Sequence, residues 1–598
     1  MARKAKPSKA SSQLDLMAVA ESPAKPVPTK PAKALAEKPS TAPEPKRPQR
    51  RASAEDMAKK QREISVSEFF TKNRHLLGFD NPQKAMLTAI KEAVDNALDA
   101  CEEAGILPEI EVAIREISEG RYRIAIDDNG PGIPKPQIPK VFGKLLYGSK
   151  FHRLKQSRGQ QGIGISAAGM YAQLTTGKPV HVVSRTGKGR PAVALDITLN
   201  TRLNQPEMSN ETVDEKYEKP HGTRVELELS GLYKKGKRSV DEYLMLTAVS
   251  NPHARIIFRP PAGEAVIYER ASEELPVEAL EIKPHPHGVE LGMLIKMLQD
   301  TSGHTVKSAL KGDFSRVSDM IAEEICQMAK VKPSAKPRNL TAHDIEALYK
   351  AMQTVKIMAP PSNCLSPIGE ARLEASLKAR FKAAFVTSTT RKPVVYRGNP
   401  FQIEVGLAYG GDLPADELCD VFRFANRVPL QYQQGACAIH RSVLTTDWKS
   451  YGLQQSRGAL PTGPFVVMVH MASVWVPFTS ESKEAIAHYD EIIKEIKLAI
   501  QECGRRLKLY VSGQRRTADE FAKRSYMQKY IPLVGEALRL LLELNQKQEQ
   551  EVTDRLRKVL ERTRATALPI RRKGTVSDEE LAILRAADRE AAAAQAAE

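Results

Sequence analysis

The sequence predicts an α+β protein in which one β-sheet is covered by helices. Three features support this fold class: an amphipathic helix over 81–104, two alternating segments directly after it, and glycine-rich loops between the later segments. Ile110, Val112 and Ile114 share one face of the first alternating segment. This period of two is typical of a half-buried strand. A helix followed by strands that are joined by glycine loops indicates a sandwich of one sheet and its covering helices.

The rest of the chain divides into segments with different periodicity. Tyr122, Ile124 and Ile126 predict a second strand. Further strands are predicted at 180–184, 192–199 and 223–229, mostly helices over 288–357, mixed elements over 365–510 with the clearest strand at 464–476, and a long helical region over 517–559. A chain of 598 residues is too long for one hydrophobic core, so we expect three or four domains.

The charge balance points to a polyanionic partner. The chain carries 90 Lys and Arg residues against 72 Asp and Glu residues, a formal net charge of +18. Phosphate neutralisation requires basic residues in excess, which makes double-stranded DNA the expected partner. The alternative is a basic enzyme with no nucleic-acid role, and the charge alone leaves both interpretations open.

Nearly half of the basic excess lies in the first 60 residues. Residues 1–60 hold 14 Lys or Arg residues and six Asp or Glu residues, with many Pro, Ala and Ser residues. Such a segment cannot bury enough apolar surface to fold, so we expect 1–62 to be a disordered basic arm. It could hold DNA non-specifically, act as a targeting signal or serve only as a solubilising tail.

Cysteine usage and hydropathy indicate the compartment. The six cysteines include no CxxC pair, which argues against a zinc site or a disulfide framework. No run of 18 apolar residues occurs, so no membrane partner is expected. We expect a cytoplasmic, nucleoid-associated protein, or a nuclear one if the source is a eukaryote.

The first candidate site residues lie on the predicted helix over 81–104. Glu92, Asn96 and Asp99 are spaced i, i+4 and i+7 and therefore form one polar stripe. A general base requires a carboxylate near a water, and a metal bound to phosphates requires an oxygen ligand close by. Glu92 and Asn96 meet both requirements. A solvated helix face would show the same pattern.

The second candidate element follows the second predicted strand. Asp128 stands at the strand end, and Gly130 and Gly132 allow close backbone approach to a flat ligand. A carboxylate in this place can accept a hydrogen bond from an exocyclic amine such as that of adenine. An Asx turn is the alternative interpretation of this segment alone.

The third candidate element is a glycine loop that leads into a helix. Its backbone amides and the helix N-terminus can hold phosphates. The spacing is GxxGxG, and the chain contains no GxxxxGK[ST] loop. The loop consists of Gly159, Gln160, Gln161, Gly162, Ile163, Gly164, Ile165 and Ser166.

These three elements, followed by His221-Gly222-Thr223, resemble in their order the GHKL ATPases, which include gyrase, heat-shock chaperone, histidine kinase and mismatch-repair ATPases. Within that superfamily the segments 142–150, 158–168 and 474–487 resemble the B subunits of type IIB DNA topoisomerase VI almost word for word. The resemblance covers about 64–540. The basic arm and the C-terminal tail lie outside it.

The resemblance implies a role for each candidate residue. Glu92 would be the general base, and Asn96 would hold Mg²⁺ between the phosphates of ATP. Asp128 would bind the adenine amine with Thr223 beside the base, and Lys483 of a later domain would reach the γ-phosphate. The remaining implied nucleotide-binding residues are Asp99, Gly130, Gly132, Ser149 and Lys150 in a lid, and the loop Gly159 to Ser166.

The resemblance also implies the architecture and the partners. The expected domains are a basic arm (1–62), a GHKL ATPase domain with an N-terminal strap (63–250), a linker and helix–two-turn–helix domain (251–361), a transducer domain with a long helix (362–545) and a C-terminal tail (546–598). The subunit would dimerise on binding ATP and join A subunits in an A2B2 heterotetramer. DNA cleavage would belong to the A subunit, because this chain has no Asp-x-Asp motif for the cleaving metal.

Two alternatives to an ATP-hydrolysing topoisomerase subunit remain. One is another GHKL-type, ATP-dependent DNA clamp. The other is a DNA-binding scaffold that holds nucleotide without hydrolysing it. Glu92 argues against the scaffold, since a protein that only holds nucleotide needs no general base.

Overall fold

The computed structural model describes residues 57–58, 64–148, 153–159, 162–201, 203–480 and 482–566. This part of the chain holds three β-sheets, of eight, six and two strands, together with the helices that pack around the two larger sheets and a separate helical core. The first sheet has eight strands in the order β5-β4-β3-β6-β2-β1-β7-β8. Its pairs are antiparallel except for β1 and β7, which are parallel. The strands are β1 Glu109–Ser118, β2 Arg121–Asp127, β3 Val180–Arg185, β4 Val193–Asn200, β5 Gln205–Val213, β6 Gly222–Ser230, β7 Arg255–Arg259 and β8 Val266–Tyr268.

Helices pack against this sheet and form its core. The helices of this part are α1 Val66–Lys72, α2 Pro82–Glu103, α3 Ile138–Gly143, α4 Gly164–Thr176 and α5 Val240–Ser250. The side chain of Asn81 caps α2 by accepting a hydrogen bond from the Lys84 amide, and Pro82 occupies the first helical position, where its missing N–H costs nothing. Ile90, Val94 and Leu98 of α2 are fully buried against the strands. The predicted α+β sandwich is confirmed.

A separate helical core follows the first sheet. Helices α6 Leu291–Asp300, α7 Val306–Asp313, α8 Asp319–Ala329 and α9 Ala342–Thr354 pack around Leu294, Leu310, Ile325 and Leu348. Threonine side chains begin two of these helices with capping boxes, Thr305 before α7 and Thr341 before α9.

The second sheet has six strands. The strand order is β10-β11-β16-β12-β13, and β9 pairs with β11. All nine residues of β16 are buried, since helices or loops cover both faces of this central strand. The elements are α10 Glu370–Phe381, β9 Phe385–Thr390, β10 Val394–Tyr396, β11 Asn399–Tyr409, β12 Asp420–Ala425, β13 Val428–Pro429, α11 Ala438–Leu444, β14 Gln454–Gln455, β15 Pro461–Thr462 and β16 Phe465–Ser473, with β14 and β15 forming a separate pair.

Helix α5 joins the two sheets. Its residues Leu246 and Val249 belong to the same buried cluster as Phe424 and Met468 of the second sheet. The two sheets therefore share packing across α5. If one sheet moved against the other, the hydrophobic contact at α5 would be disturbed, because α5 is packed between the sheets and is not a solvated linker.

The C-terminal helices differ from the sequence-based expectation. Helix α12 runs over Asp490–Leu541 for 52 residues, and α13 runs over Gln546–Thr566. The predicted region over 517–559 therefore began too late, and the mixed elements assigned up to 510 include the first part of α12. The sequence contains the missed signal, because Ile492, Ile496 and Cys503 are buried at helical spacing against the second sheet.

A turn and a close contact between helices shape the C-terminal end of the described chain. The chain reverses at 542–545, where Glu543 has a φ of +50°, and α13 packs back against α12. A Cβ on Gly535 of α12 would lie 2.5 Å from Oγ1 of Thr553, so a glycine is needed for this close approach. Among the residues that the structure describes, no helix has the length and apolarity required to cross a membrane.

Candidate active site

A cavity of about 590 Å³ lies between α2, the first sheet, the start of α4 and two loops of the second sheet's domain. Predicted residues from all three sequence elements line it. They are Glu92, Asn96, Asp128, Gly132, Gly159, Gly162, Ile163, Gly164, Ile165, Thr223 and Lys483. The structure thus brings together residues that lie almost 400 positions apart in the sequence.

Glu92 lies against the first residue of helix α4. A Cβ atom built on Gly164 would overlap with the Oε2 atom of Glu92, so only a glycine leaves room for the carboxylate there. The carboxylate therefore lies beside the N-terminus of a helix, where the helix dipole favours negative charge. Asn96, one helical turn after Glu92, lines the same cavity.

Asp128 is fixed by backbone amides at the end of β2. The residue is 8% exposed, and Oδ1 accepts hydrogen bonds from the amides of Gly130 at 2.8 Å and Thr223 at 3.1 Å. Burial raises the pKa of this carboxyl to about 6, although both hydrogen bonds act in the opposite direction. Gly222 has a φ of +144°, and a Cβ there would overlap with the Asp128 carbonyl, so this glycine allows β6 to approach the backbone of Asp128.

Three predicted site residues do not line the cavity. The Asp99 carboxylate accepts a hydrogen bond from Nη1 of Arg158 at 2.7 Å. The Ser166 hydroxyl has the carbonyls of Val141 and Lys144 as acceptors, each at 3.0 Å, and so faces the protein. Gly130 contributes its amide to Asp128. The predicted residues Ser149, Lys150, Gln160 and Gln161 lie outside the described residues.

Sequence reasoning missed a buried charge network at the start of the glycine loop. The Arg158 guanidinium donates to Asp99, to Glu102 at 2.6 Å and to Asn251 at 2.5 Å. Burial alone would raise the pKa of Glu102, but Arg158 and the hydrogen bond from His253 hold it well below its usual range. The sequence signal for this network was the position of Arg158 directly before Gly159. Hydrophobic periodicity does not reveal the contacts of such a residue.

The network continues into the second sheet's domain. Nη1 of Arg427 lies 3.7 Å from Glu102, and the Asn426 side chain donates to the Ser157 carbonyl at 3.0 Å. The Gln156 side chain donates to the Ser366 carbonyl at 3.1 Å. The residues before the glycine loop are therefore bonded both to α2 and to the second sheet's domain.

Lys483 reaches the cavity from that domain. It lies in the loop after β16, where its backbone has a φ of +52° and its amide donates to the Ser480 carbonyl at 3.0 Å. Lys483 lines the main cavity and also a small cavity that Glu92, Asn96 and Asn426 line. Additional lining residues that the sequence did not predict include Phe79, Lys84, Tyr147, Tyr432 and Glu484.

Over the described ranges, no cluster of three or more His, Cys, Asp or Glu residues is arranged to hold a metal ion. The six cysteines are buried free thiols.

Two protein-family models match the chain. Residues 81–230 match the histidine kinase-, DNA gyrase B- and HSP90-like ATPase family, and residues 360–523 match the topoisomerase VI B subunit transducer. The first span contains Glu92, Asn96, Asp128 and the glycine loop. The second contains Lys483. The model spans therefore place the two sides of the cavity in an ATPase domain and in a transducer domain.

Curated relatives resemble the chain over most of its length. The type 2 DNA topoisomerase 6 B subunit of Methanococcoides burtonii is 51% identical over 492 residues, which cover 82% of this chain and 79% of the relative. The protein of the same name from Archaeoglobus fulgidus is 49% identical over 488 residues, 81% of each chain. That from Thermococcus kodakarensis is 39% identical over 539 residues, 82% of this chain and 93% of the relative. Together with the ATPase and transducer domains, these identities show that the chain belongs to the family of type 2 DNA topoisomerase 6 B subunits.

Proposed function

We propose that the chain is the ATP-hydrolysing B subunit of a type II DNA topoisomerase, in which ATP binding closes two B subunits over a DNA duplex. The observation that carries this proposal is the shared cavity of Glu92 and Lys483. One side chain comes from the ATPase domain and the other from the transducer, and both line the same space. A ligand in this cavity contacts both domains at once, so its hydrolysis can change how they are held.

Glu92 is the proposed general base. Its carboxylate takes a proton from a water whose oxygen attacks the γ-phosphorus, and the bond from that phosphorus to the β–γ bridging oxygen breaks. ADP leaves with the bridging oxygen, and inorganic phosphate carries the water oxygen. Lys483 stabilises the negative charge on the γ-phosphoryl group during this step. Asn96 is the proposed protein ligand of Mg²⁺, which neutralises phosphate charge when bound.

The remaining site residues bind and orient the nucleotide. Asp128 accepts a hydrogen bond from the adenine amine, and Thr223 lies beside the base. The amides of the glycine loop Gly159 to Ser166 surround the phosphates, and Ser149 and Lys150 belong to the lid. Asp99 acts through its contact with Arg158, which positions the start of the glycine loop.

The raised pKa of Asp128, about 6, predicts a pH-dependent affinity for ATP. The charged carboxylate is the form that accepts the adenine amine, and it is lost as the pH falls through the raised pKa. We expect the Kd of a fluorescent ATP analogue to rise about tenfold between pH 7.5 and pH 5.

The matched control for this prediction is Asp128→Asn, which keeps an acceptor oxygen but cannot change charge. This variant should bind the ATP analogue more weakly at pH 7.5, and its affinity should lose the change near pH 6 that Asp128 causes. A pH dependence caused by titration of the nucleotide phosphates would persist in the variant. The variant also separates Asp128 from Asp95, whose pKa burial raises to about 7. An identical pH profile in both proteins would remove Asp128 from the adenine site.

The proposed assembly is an A2B2 heterotetramer acting on double-stranded DNA. Residues 64–77 form the strap that two B subunits exchange when ATP drives their dimerisation. The basic arm, 1–62, and the tail, 546–598, lie at the two ends of the domain series that the sequence predicted, and we place the complex on the nucleoid.

Sedimentation velocity should give a dimer with a non-hydrolysable ATP analogue and a monomer without nucleotide. An unchanged sedimentation coefficient would rule out this ATP-driven clamp.

The direct test of the function is relaxation of supercoiled plasmid by this chain with a co-expressed A-type subunit, ATP and Mg²⁺. We expect relaxed topoisomers only when both subunits and ATP are present, because strand cleavage belongs to the A subunit. A Glu92→Gln chain is the control for hydrolysis. ATP consumption without any topological change, under conditions in which the A subunit cleaves DNA, would instead favour another ATP-dependent DNA clamp.

A further inference from the structure

An ion pair joins the ATPase domain to the transducer beside Lys483. Nζ of Lys84, in the first turn of α2, lies 2.6 Å from Oε1 of Glu484. The two side chains are 13% and 9% exposed. Glu484 directly follows Lys483 in the chain, so the contact holds the transducer at the residue next to the proposed γ-phosphate ligand.

Both partners of this ion pair are held by further contacts. Lys84 also lies 3.1 Å from Oδ1 of Asp80 and 5.2 Å from the centre of the Tyr432 ring. The Glu484 carbonyl lies 3.5 Å from Nη1 of the buried Arg423, at the outer limit of a hydrogen bond. Although burial lowers the pKa of Lys84, its hydrogen bonds to Glu484 and Asp80 raise it above the ordinary value. Lys84 is therefore positively charged when it contacts Glu484.

The loop that carries Lys483 is closed at its base and bonded at its tip. Phe478 and Ile486 form a β-bridge, and the Thr479 amide donates to the Ala485 carbonyl at 2.9 Å. Lys483 at the tip has the left-handed backbone φ of +52°, which a non-glycine residue adopts only where its surroundings hold it. The Lys84 contact at the next residue supplies such a constraint.

Helix α2 connects this contact to the proposed general base. Lys84 and Glu92 are eight residues apart on the same helix, which corresponds to roughly 12 Å along its axis. A rigid helix therefore fixes both the Glu92 carboxylate and the anchor of the loop that carries Lys483. Helix α2 therefore sets the distance between Glu92, the proposed general base, and Lys483, the proposed ligand of the γ-phosphate.

We propose that the Lys84–Glu484 ion pair positions Lys483 beside the γ-phosphate. The inference rests on the proposed function of Lys483. A cation stabilises the transferring phosphoryl group only when it is held in place before the reaction, since misplacement by about 1 Å can reduce a rate by roughly two orders of magnitude. Glu484 is thus a positioning residue that acts through Lys483.

The first test compares Glu484→Gln in the wild-type chain and in a Lys483→Met chain. In the wild-type chain we expect kcat for ATP hydrolysis to fall ~10- to 100-fold while KM changes little, because the lost interaction is made in the transition state. In the Lys483→Met chain the same substitution should have no further effect on the residual rate, since the residue it positions is already absent. Equal losses in both chains would overturn the proposal.

The second test exchanges the two charges. Lys84→Glu and Glu484→Lys each place like charges together and should each lower kcat, whereas the double variant restores an ion pair and should recover most of the rate. Lys84 lines the cavity, so this experiment also separates positioning from direct contact with phosphate. If Lys84 itself binds phosphate, the double variant stays inactive and the proposal fails.

Controls separate this inference from loss of folding and from failure of the proposed function. Glu491→Gln changes an exposed glutamate of the same domain and should leave kcat and the melting temperature unchanged. If Glu484→Gln does not fold, the charge exchange still decides the question. If Lys483→Met hydrolyses ATP as fast as the wild-type chain, the proposed function of Lys483 fails. If Lys483→Met is slow and Glu484→Gln is not, only the positioning role fails.

Discussion

Glu92→Gln will slow ATP hydrolysis at least ~100-fold while ATP binding stays within a few fold of the wild-type value. The amide keeps the shape of the side chain, which matters because Glu92 lies directly against Gly164 and a smaller residue would leave a gap there. It cannot accept the proton of the attacking water. In the proposed site, binding relies instead on the glycine loop and Asp128. Single-turnover hydrolysis and titration with a fluorescent ATP analogue measure the two quantities.

The matched control is Glu103→Gln at the end of the same helix. Glu103 is exposed and lies outside the residues that line the cavity, so its loss should leave hydrolysis unchanged. Turnover by Glu92→Gln at the wild-type rate would refute the general-base assignment. A loss of ATP binding equal to the loss of turnover would assign Glu92 to ligand binding instead.

Gly164→Ala should reduce hydrolysis by a similar factor although it removes no functional group. A Cβ at this position overlaps with Oε2 of Glu92, and Gly164 is the first residue of α4. The neighbouring carboxylate must shift, which costs the alignment that a general base requires, and a displacement of about 1 Å can lower a rate ~100-fold. We expect kcat to fall ~100-fold and the melting temperature to change little.

Gly187→Ala provides the comparison in the same domain. A Cβ on Gly187 meets no atom within 4 Å, so the same substitution there creates no overlap. It should leave ATP hydrolysis within twofold of the wild-type rate. If Gly164→Ala and Gly187→Ala hydrolyse ATP equally fast, Glu92 has room to move without loss, and its placement against α4 is not required for catalysis.

Local patterns predicted five of the eight strands of the first sheet, and the absence of β5 from the prediction has a physical reason. Helix α2 and strands β1, β2, β3, β4 and β6 follow from apolar periodicity, because each buries one face. Strands β7 and β8 were missed, and so was strand β5, Gln205–Val213. It lies at the edge of the sheet and is exposed along nearly its whole length, so its sequence carries no burial period. The early start of α12 was missed for a different reason, since its buried residues were counted with the mixed elements before it.

The candidate site likewise contains some features that the sequence could predict and others that it could not. The spacing of Glu92 and Asn96, the position of Asp128 after a strand and the glycine loop could be predicted, because each depends on residues close together in the chain. The contacts of Arg158 with Asp99 and Glu102 could not, since they join residues more than 50 positions apart. Lys483 entered only through resemblance to a family, because nothing in its local sequence distinguishes it from a surface lysine.

By itself the sequence determined the α+β class through short-range periodicity, and its motif spacing singled out the elements that line the cavity. The family followed from the resemblance of longer segments, 142–150, 158–168 and 474–487, to known members. Only the tertiary structure decided which atoms meet: Glu92 against Gly164, and Lys84 with Glu484. The physical reason is that these contacts depend on how helices and sheets pack across hundreds of residues. Local propensity does not encode that packing.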